Sequence, residues 1–424
     1  MNILQKRFAH TLVAVVAFIM TFTSAATAAN LKVSALPLHD WWWLAPEKPS
    51  LTLQVSDSIG AACEADLRIV VTTDDFAPVS EEMRHVRVPA AGVADITFEP
   101  KVKTPGFYRL SVYDSADRLL AMNFGYEPEN IVSLPDSQPD LRAFWDEALA
   151  ELAAVDPQYR MEEVPELSGK QRKVYLASMR SLGGDTICGY VAIPVKEGAY
   201  PVHIYYNGYG AEPWCPAADG NPDWIDFVIF TRGQGLCKKY NKYGDWITFG
   251  VDDPRKFYYR GAFMDVVRAI DFIYQLPQTD RDNIFAEGGS QGGAFTLVSA
   301  ALDNRVAAIA PYIPFLSDYP DYFNIVHWPA DPVKAAAAQA GISEKAMYKT
   351  LSYFDIKNLA RWIKCPVLMG AGLQDETCPP HTNFSGYNLI SSPKEFIIYP
   401  DKGHTVDYND WSPRVKEFFR KNMR

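Results

Sequence analysis

The chain has 424 residues, 48% of them hydrophobic and 22% charged, with a formal net charge of −10. That apolar share supplies a large core and excludes a disordered chain, and the length is that of two or three domains. The acidic balance repels polyanions, so neither nucleic acid nor an anionic lipid surface is expected as a general partner.

At the start, Lys6 and Arg7 precede an apolar run over 12–20, and Ala26-Thr27-Ala28 follows with small side chains. Basic residues, a short apolar run and a small-residue cleavage motif predict a secretory signal peptide over 1–29, hence export to the periplasm or the medium. The run is too short for a bilayer, which needs about 20 residues. No later stretch is long and apolar enough, so no membrane span is expected. Removing Lys6 and Arg7 leaves a net charge of −12. Six cysteines follow, at positions 63, 188, 215, 237, 365 and 378. An even number permits disulfides in an exported chain. None forms a C-x-x-C pair, and the sequence leaves pairing open.

Residues 30–130 read as short strands between turn residues, over 51–55, 67–71, 95–98 and 106–113. With no long amphipathic helix among them, they predict a small immunoglobulin-like β-sandwich. Trp41-Trp42-Trp43 near its start could form a sugar-stacking platform. Three adjacent side chains cannot share one strand face, which favours a strand packed against the rest of the chain.

From about residue 131 the pattern changes. Residues 140–154 carry Leu141, Phe144, Trp145, Ala148, Leu149 and Leu152 on one helical stripe. Strands over 203–206, 227–230, 283–287, 305–310, 366–369 and 396–399 then alternate with helices over 259–276, 292–302 and 415–422. Such alternation predicts an α/β domain over 131–424, with a mostly parallel sheet covered on both faces.

Gly288-Gly289-Ser290-Gln291-Gly292 lies between a predicted strand and a predicted helix. A G-x-S-x-G turn in that context exposes the serine hydroxyl at the sheet edge. A serine hydroxyl needs a base, and the base needs an orienting acid. Of the downstream histidines, His404 follows the last strand, whereas His327 lies in an irregular stretch and His381 begins a helix. Asp375, on the loop after the preceding strand, is the expected acid, with Glu376 as the alternative. Two N–H groups should face the developing oxyanion. They are expected from Gln291, after the serine, and from Tyr209, in the loop after an early strand.

These residues and their neighbours bring a family into view. Arg232-Gly233-Gln234-Gly235, Tyr258-Tyr259-Arg260-Gly261, the Ser290 turn, 351–355, Lys364-Cys365-Pro366, Gly372-Leu373-Gln374-Asp375 and Gly403-His404 occur in one order. In this the chain from residue 140 resembles the acetyl xylan esterase / cephalosporin C deacetylase family of α/β-hydrolases. The resemblance implies a serine carbohydrate esterase that removes acetyl groups from acetylated sugars such as xylo-oligosaccharides through an acetyl-serine intermediate. It implies the triad Ser290, Asp375 and His404. No cluster of histidines and carboxylates stands at metal-ligand spacing in the sequence, and serine chemistry requires no metal or other cofactor. Family members are often hexamers, so a homo-oligomer is implied too. Asn207 stands where the family usually has histidine, and Thr405 where it has glutamate. Arg232 and Gln234 are candidates for substrate contact or, more in keeping with their surroundings, for supporting the site. The competing readings are a short-chain esterase or peptidase on the same scaffold and a non-catalytic sugar-binding protein.

Overall fold

The computed structural model describes residues 30–424, and the expected leader over 1–29 lies outside them. Eight strands come first: β1 (Leu31–Ala35), β2 (Trp42–Trp43), β3 (Leu51–Asp57), β4 (Cys63–Thr73), β5 (Pro78–Val88), β6 (Val93–Phe98), β7 (Gly106–Asp114) and β8 (Asp117–Tyr126). They form two sheets, ordered β1-β3-β6 and β2-β8-β7-β4-β5. Alternate residues such as Leu51, Leu53, Val55, Leu67, Ile69, Val71, Leu110 and Val112 are buried between the sheets, as period-two strands require. β5 escapes the sequence pattern because it is an edge strand whose exposed Glu81, Glu82 and Arg84 interrupt the alternation.

The larger sheet follows, with nine strands. They are β9 (Arg160–Glu163), β10 (Arg172–Arg180), β11 (Thr186–Pro194), β12 (Tyr200–Tyr206), β13 (Ile225–Phe230), β14 (Thr279–Gly289), β15 (Val306–Tyr312), β16 (Val367–Gly372) and β17 (Lys394–Tyr399). Their order is β17-β16-β15-β14-β12-β13-β11-β10-β9. The six strands β12 to β17 run parallel, and β9 to β11 add an antiparallel edge.

Around this sheet lie α1 (Leu141–Ala153), α2 (Tyr258–Gln275), α3 (Gln291–Leu302), α4 (Tyr319–Ile325), α5 (Ala330–Gln339), α6 (Glu344–Ser352), α7 (Ile356–Leu359), α8 (Pro380–Tyr387) and α9 (Tyr408–Lys421). Helices α1, α2 and α3 bury Trp145, Phe263 and Phe295 with one set of strand residues. On the other face α9 buries Trp411, Val415, Phe418 and Phe419 against Phe285 and Leu368. The sequence places this last helix from 415, but it begins at Tyr408, capped by the Asp407 side chain, with Pro413 inside it. Pro413 lacks the N–H that would bond the Asn409 carbonyl, and a proline inside a helix reads in the sequence as a break, which is why the sequence pattern starts the helix after it. All six cysteines are free thiols. No helix among the described residues is long and apolar enough to cross a membrane.

The two sheet systems are packed together. Trp43 is buried in the sandwich, edge-on to Phe124, while Trp42 meets Phe396 of β17 at 5.5 Å. Phe107 of β7 packs on Phe384 of α8 at 5.7 Å. Thus the three tryptophans serve packing within and between these layers.

A charged contact adds to this. His381 of α8 stands 3.0 Å from Asp74, at the end of β4, and 3.4 Å from Asp321 of α4. Burial works against its charge, but hydrogen bonding to Asp321 and Asp74 outweighs it and pushes the imidazolium up to about 10. The raised value means that the folded state holds this proton more tightly than the unfolded chain. The stabilisation is therefore complete below about pH 6.5 and is lost as pH rises through about 10. Thermal unfolding followed from pH 6 to 10.5 should show His381→Gln losing less Tm with rising pH than the parent does. Parallel curves would show that the contact contributes nothing.

Candidate active site

The parallel strands converge on one edge. Register places Tyr206, the last residue of β12, beside Gly288 near the end of β14. The loop 207–210 and Ser290 thus leave neighbouring strands at their carboxyl ends, where open α/β sheets form their sites. Ser290 holds φ 57° and ψ −121° as it caps α3. Its N–H donates to Tyr312 O at 3.1 Å, and its carbonyl accepts from Phe315 and Ala294 N–H at 3.0 Å each. The turn is also tight: a Cβ on Gly292 would lie 2.2 Å from Tyr206 O, and one on Gly288 2.5 Å from Gly292 O.

Asp375 and His404 follow β16 and β17, the two parallel strands beyond β15. Gly372 of β16 pairs with Tyr399 of β17. A Cβ on Gly372 would fall 2.0 Å from Gly403 O, so only glycine lets the two loops meet. Across that contact, Asp375 Oδ2 lies 2.8 Å from His404 Nδ1. Asp375 Oδ1 accepts the N–H groups of Thr377 and Cys378 at 2.8 and 2.9 Å. The Asp375 side chain is fully buried, whereas Glu376 is 79% exposed beside Arg109. Ser290 and His404 line one cleft of about 590 Å³, with Asn207, Gly208, Trp214, Tyr312 and Tyr408.

The loop after β12 rests on an amide network. Gln234 Oε1 accepts from Gly210 N–H at 3.0 Å and Gln291 Nε2 at 3.1 Å. Gln234 Nε2 donates to Tyr258 OH at 2.9 Å, and Tyr259 OH donates to Gln291 Oε1 at 3.1 Å. Asn207 joins through Nδ2, which donates to Gly208 O at 2.8 Å. Neither the Gln291 nor the Tyr209 N–H donates to another group among the described residues. The Tyr209 side chain turns to Asp245, at 2.8 Å, and packs between Trp246 and Trp328.

Arg232 lies apart from the cleft. It binds Asp265 through Nε at 2.9 Å and Nη2 at 2.7 Å, and Asp185 through Nη1 at 3.0 Å. Burial opposes its charge, but the two carboxylates outweigh that and hold the guanidinium well above its usual range. Among the aromatic residues of this region, Trp214 borders the cleft and is exposed, whereas Trp224 is buried on Phe285. His327 is fully exposed next to Asp331. Thr405 Oγ1 donates to Val406 O at 3.3 Å.

Several residues of the cleft escape sequence reading. His203 Nε2 lies 2.9 Å from Glu287 Oε2, and Trp411 Nε1 donates to Glu287 Oε1 at 2.8 Å. The signal was a carboxylate at the end of an apolar strand, but its partners come from β12 and α9. Cys378 is buried beside Ser290 and Tyr322; burial, then the Asp375 charge, pushes its thiol up. Asp318, Asp321 and His381 bring potential metal-ligating atoms within 4.8 Å of one another. Asp318 is ion-paired with Lys357 at 2.8 Å, and none of the three lines the Ser290 cleft.

Comparison with known proteins points one way. Residues 127–421 match the model of the acetyl xylan esterase (AXE1) family. The chain is 30% identical over 322 residues to an acetyl esterase, Axe7A, of Xylanibacter ruminicola, covering 72% of each chain. Among solved structures, it is similar to an acetyl xylan esterase from Paenibacillus sp. R4, with 29% identity and a TM-score of 0.66. The alignment covers 70% of this chain and 98% of that one. Acetyl xylan esterase 1 from Thermoanaerobacterium sp. JW/SL YS485 gives 27% identity and a TM-score of 0.65, with the same coverage.

Gln234 is the hub of the loop network and contacts no reacting atom. Gln234→Leu strands several buried polar groups, each costing about 1–3 kcal/mol. Turnover of a chromogenic acetyl ester should fall in kcat by on the order of tenfold to a hundredfold, with KM little changed. An unaltered kcat would show that the loop needs no such support.

Proposed function

Since the chain belongs to the acetyl xylan esterase family, and is thus a carbohydrate-acting carboxylic ester hydrolase, we propose that Ser290, His404 and Asp375 carry its chemistry. The observation that carries this reading is the 2.8 Å contact between His404 Nδ1 and buried Asp375 at the cleft that Ser290 lines. Asp375 holds the ring so that Nε2 is free to accept a proton. His404 takes the Ser290 proton as Oγ attacks the acetyl carbonyl. The resulting oxyanion accepts hydrogen bonds from the N–H groups of Gln291 and Tyr209. The tetrahedral intermediate collapses, and the sugar oxygen leaves with the proton from His404. Water, deprotonated by the same ring, then attacks the acetyl-serine and releases acetate.

The substrate is an acetylated saccharide such as a xylo-oligosaccharide. The cleft of about 590 Å³ has room for a sugar, and Trp214 and Tyr408 offer it aromatic faces. This chemistry needs no metal or cofactor. Export through the leader at 1–29, to the periplasm or medium, fits a polymeric or oligomeric substrate; N-terminal sequencing of the processed protein tests it. A homo-oligomer is the state the family resemblance implies, and sedimentation analysis decides it.

Ser290→Ala should abolish release of acetate from acetylated xylo-oligosaccharides while thermal unfolding stays near that of the parent. His404→Ala should lose nearly as much, because base and nucleophile act as a unit. Substantial residual turnover in either variant would end the serine reading. In a series of aryl esters, acetyl should exceed butyryl by at least about tenfold in kcat/KM, since extra methylenes cost roughly 1–3 kcal/mol in a filled pocket. A maximum at butyryl or longer would point to a general esterase instead.

A further inference from the structure

The β-sandwich is the part of the chain for which the reaction above gives no role. Its contacts with the larger domain fall on β17, on α8 and on the loop that carries Asp375. Asn123 of β8 meets Gln374, the residue before Asp375, in a reciprocal pairing. The Asn123 N–H donates to Gln374 Oε1 at 2.7 Å, and Gln374 Nε2 donates back to Asn123 O at 3.1 Å. The Asn123 side chain adds a third bond, from Nδ2 to Leu373 O at 3.1 Å. The Gln374 side chain thereby behaves like one more residue paired to β8.

The same side chain reaches the loop that leads to the base. Gln374 Nε2 also donates to Pro400 O at 2.9 Å, and the Gln374 N–H donates to Lys402 O at 2.8 Å. One glutamine therefore ties β8, the acid's loop and the base's loop together, one residue from Asp375 and two residues from His404 at the Lys402 contact. Beyond Asp375 the sandwich grips again, through Phe107 on Phe384 and Asp74 on His381. The segment that presents Asp375 is thus held on both sides by a domain more than 240 residues away in sequence.

We propose that Gln374, held by Asn123 of the sandwich, is a positioning residue for the reaction. It fixes the Asp375 carboxylate and the His404 ring at their working separation, so that the sandwich is a structural part of the active site. This rests on the triad assignment above. Gln374 touches no reacting atom. It acts by limiting how far the two loops can move apart, and displacements near 1 Å cost on the order of a hundredfold in rate.

The test uses the full chain and an aryl acetate. Gln374→Met keeps the volume and loses every side-chain bond. It should lower kcat by on the order of tenfold to a hundredfold with little change in KM. It should also move the acid limb of the kcat/KM–pH profile to lower pH, because a less well placed Asp375 supports the imidazolium less. Asn123→Ala, which loses only the bond to Leu373 O, should change both quantities in the same direction by less, and it serves if Gln374→Met does not fold. Trp42→Ala, at the same interface but away from Gln374, should lower Tm and leave the pH profile in place. A Gln374→Met enzyme with parental kcat and pH profile overturns the proposal, as does a profile shift of equal size in Trp42→Ala. Ser290→Ala and Asp375→Asn run alongside. If both are inactive while Gln374→Met is unimpaired, only the positioning role falls; if Ser290→Ala is active, the triad assignment falls with it.

Discussion

The backbone of Ser290 is the constraint from which the site follows. A φ of 57° with ψ near −121° is unfavourable for any residue with a Cβ, and such strain costs on the order of 1–3 kcal/mol. It persists because the surroundings over-determine it. The Ser290 amide is bound to β15, its carbonyl accepts two further N–H groups, and Gly292 sits hard against the carbonyl of Tyr206. Three parallel strands and one helix therefore meet within a few residues. Relaxing the turn would separate α3 from β12, and with them the buried core that Phe295 shares with Phe263 and Tyr259.

Burial then sorts the two adjacent carboxylates. An unpaired buried carboxylate costs several kcal/mol, and Asp375 avoids this through two backbone N–H groups and the His404 ring. Glu376, one residue on, points to solvent beside Arg109 at 3.5 Å. Only a desolvated and fully bonded carboxylate can hold an imidazole in one orientation, because a solvated one exchanges partners with water. The preference for Asp375 over its alternative Glu376 thus finds its physical basis in where the loop turns. The Thr377 and Cys378 amides draw one side chain in, and the chain reversal throws the next one out.

What was legible in the sequence was the local part. Buried parallel strands are continuous apolar runs, so β12 to β17 stand out with α2 and α3 between them, and Ser290 announces itself through its glycines, whereas α4 to α7 do not. The polar edge of the sheet was harder. β9, β10 and β5 carry charged residues on exposed faces, and α9 hides its first turns behind Pro413. The amide network around Gln234 was legible only as a motif without a mechanism. Its partners Asn207, Gly210, Tyr258 and Gln291 lie from 24 to 57 residues away, and only folding shows that they converge. The pairing of His203 with Glu287 was hidden for the same reason, since it depends on parallel strands separated by a long crossover.

The same distance argument bears on how the site divides its support. Ser290 and the loop after β12 are held from within the larger domain, by β12, β14, β15 and the Gln234 network. Asp375 and His404 sit on loops at the far strands β16 and β17, near the open end of the sheet, where no further strand among the described residues packs beyond β17. Loops at a sheet edge have fewer neighbours to restrain them. In this chain the restraint on those loops comes from Asn123 on Gln374, while Trp42 on Phe396 and Phe107 on Phe384 hold the sandwich to the neighbouring strand and helix. The proposed catalytic group thus has two separate foundations: the strained turn holds Ser290, and the sandwich contacts the loop of Asp375. A perturbation of the sandwich should therefore reach His404 through Asp375 well before it reaches the turn at Ser290.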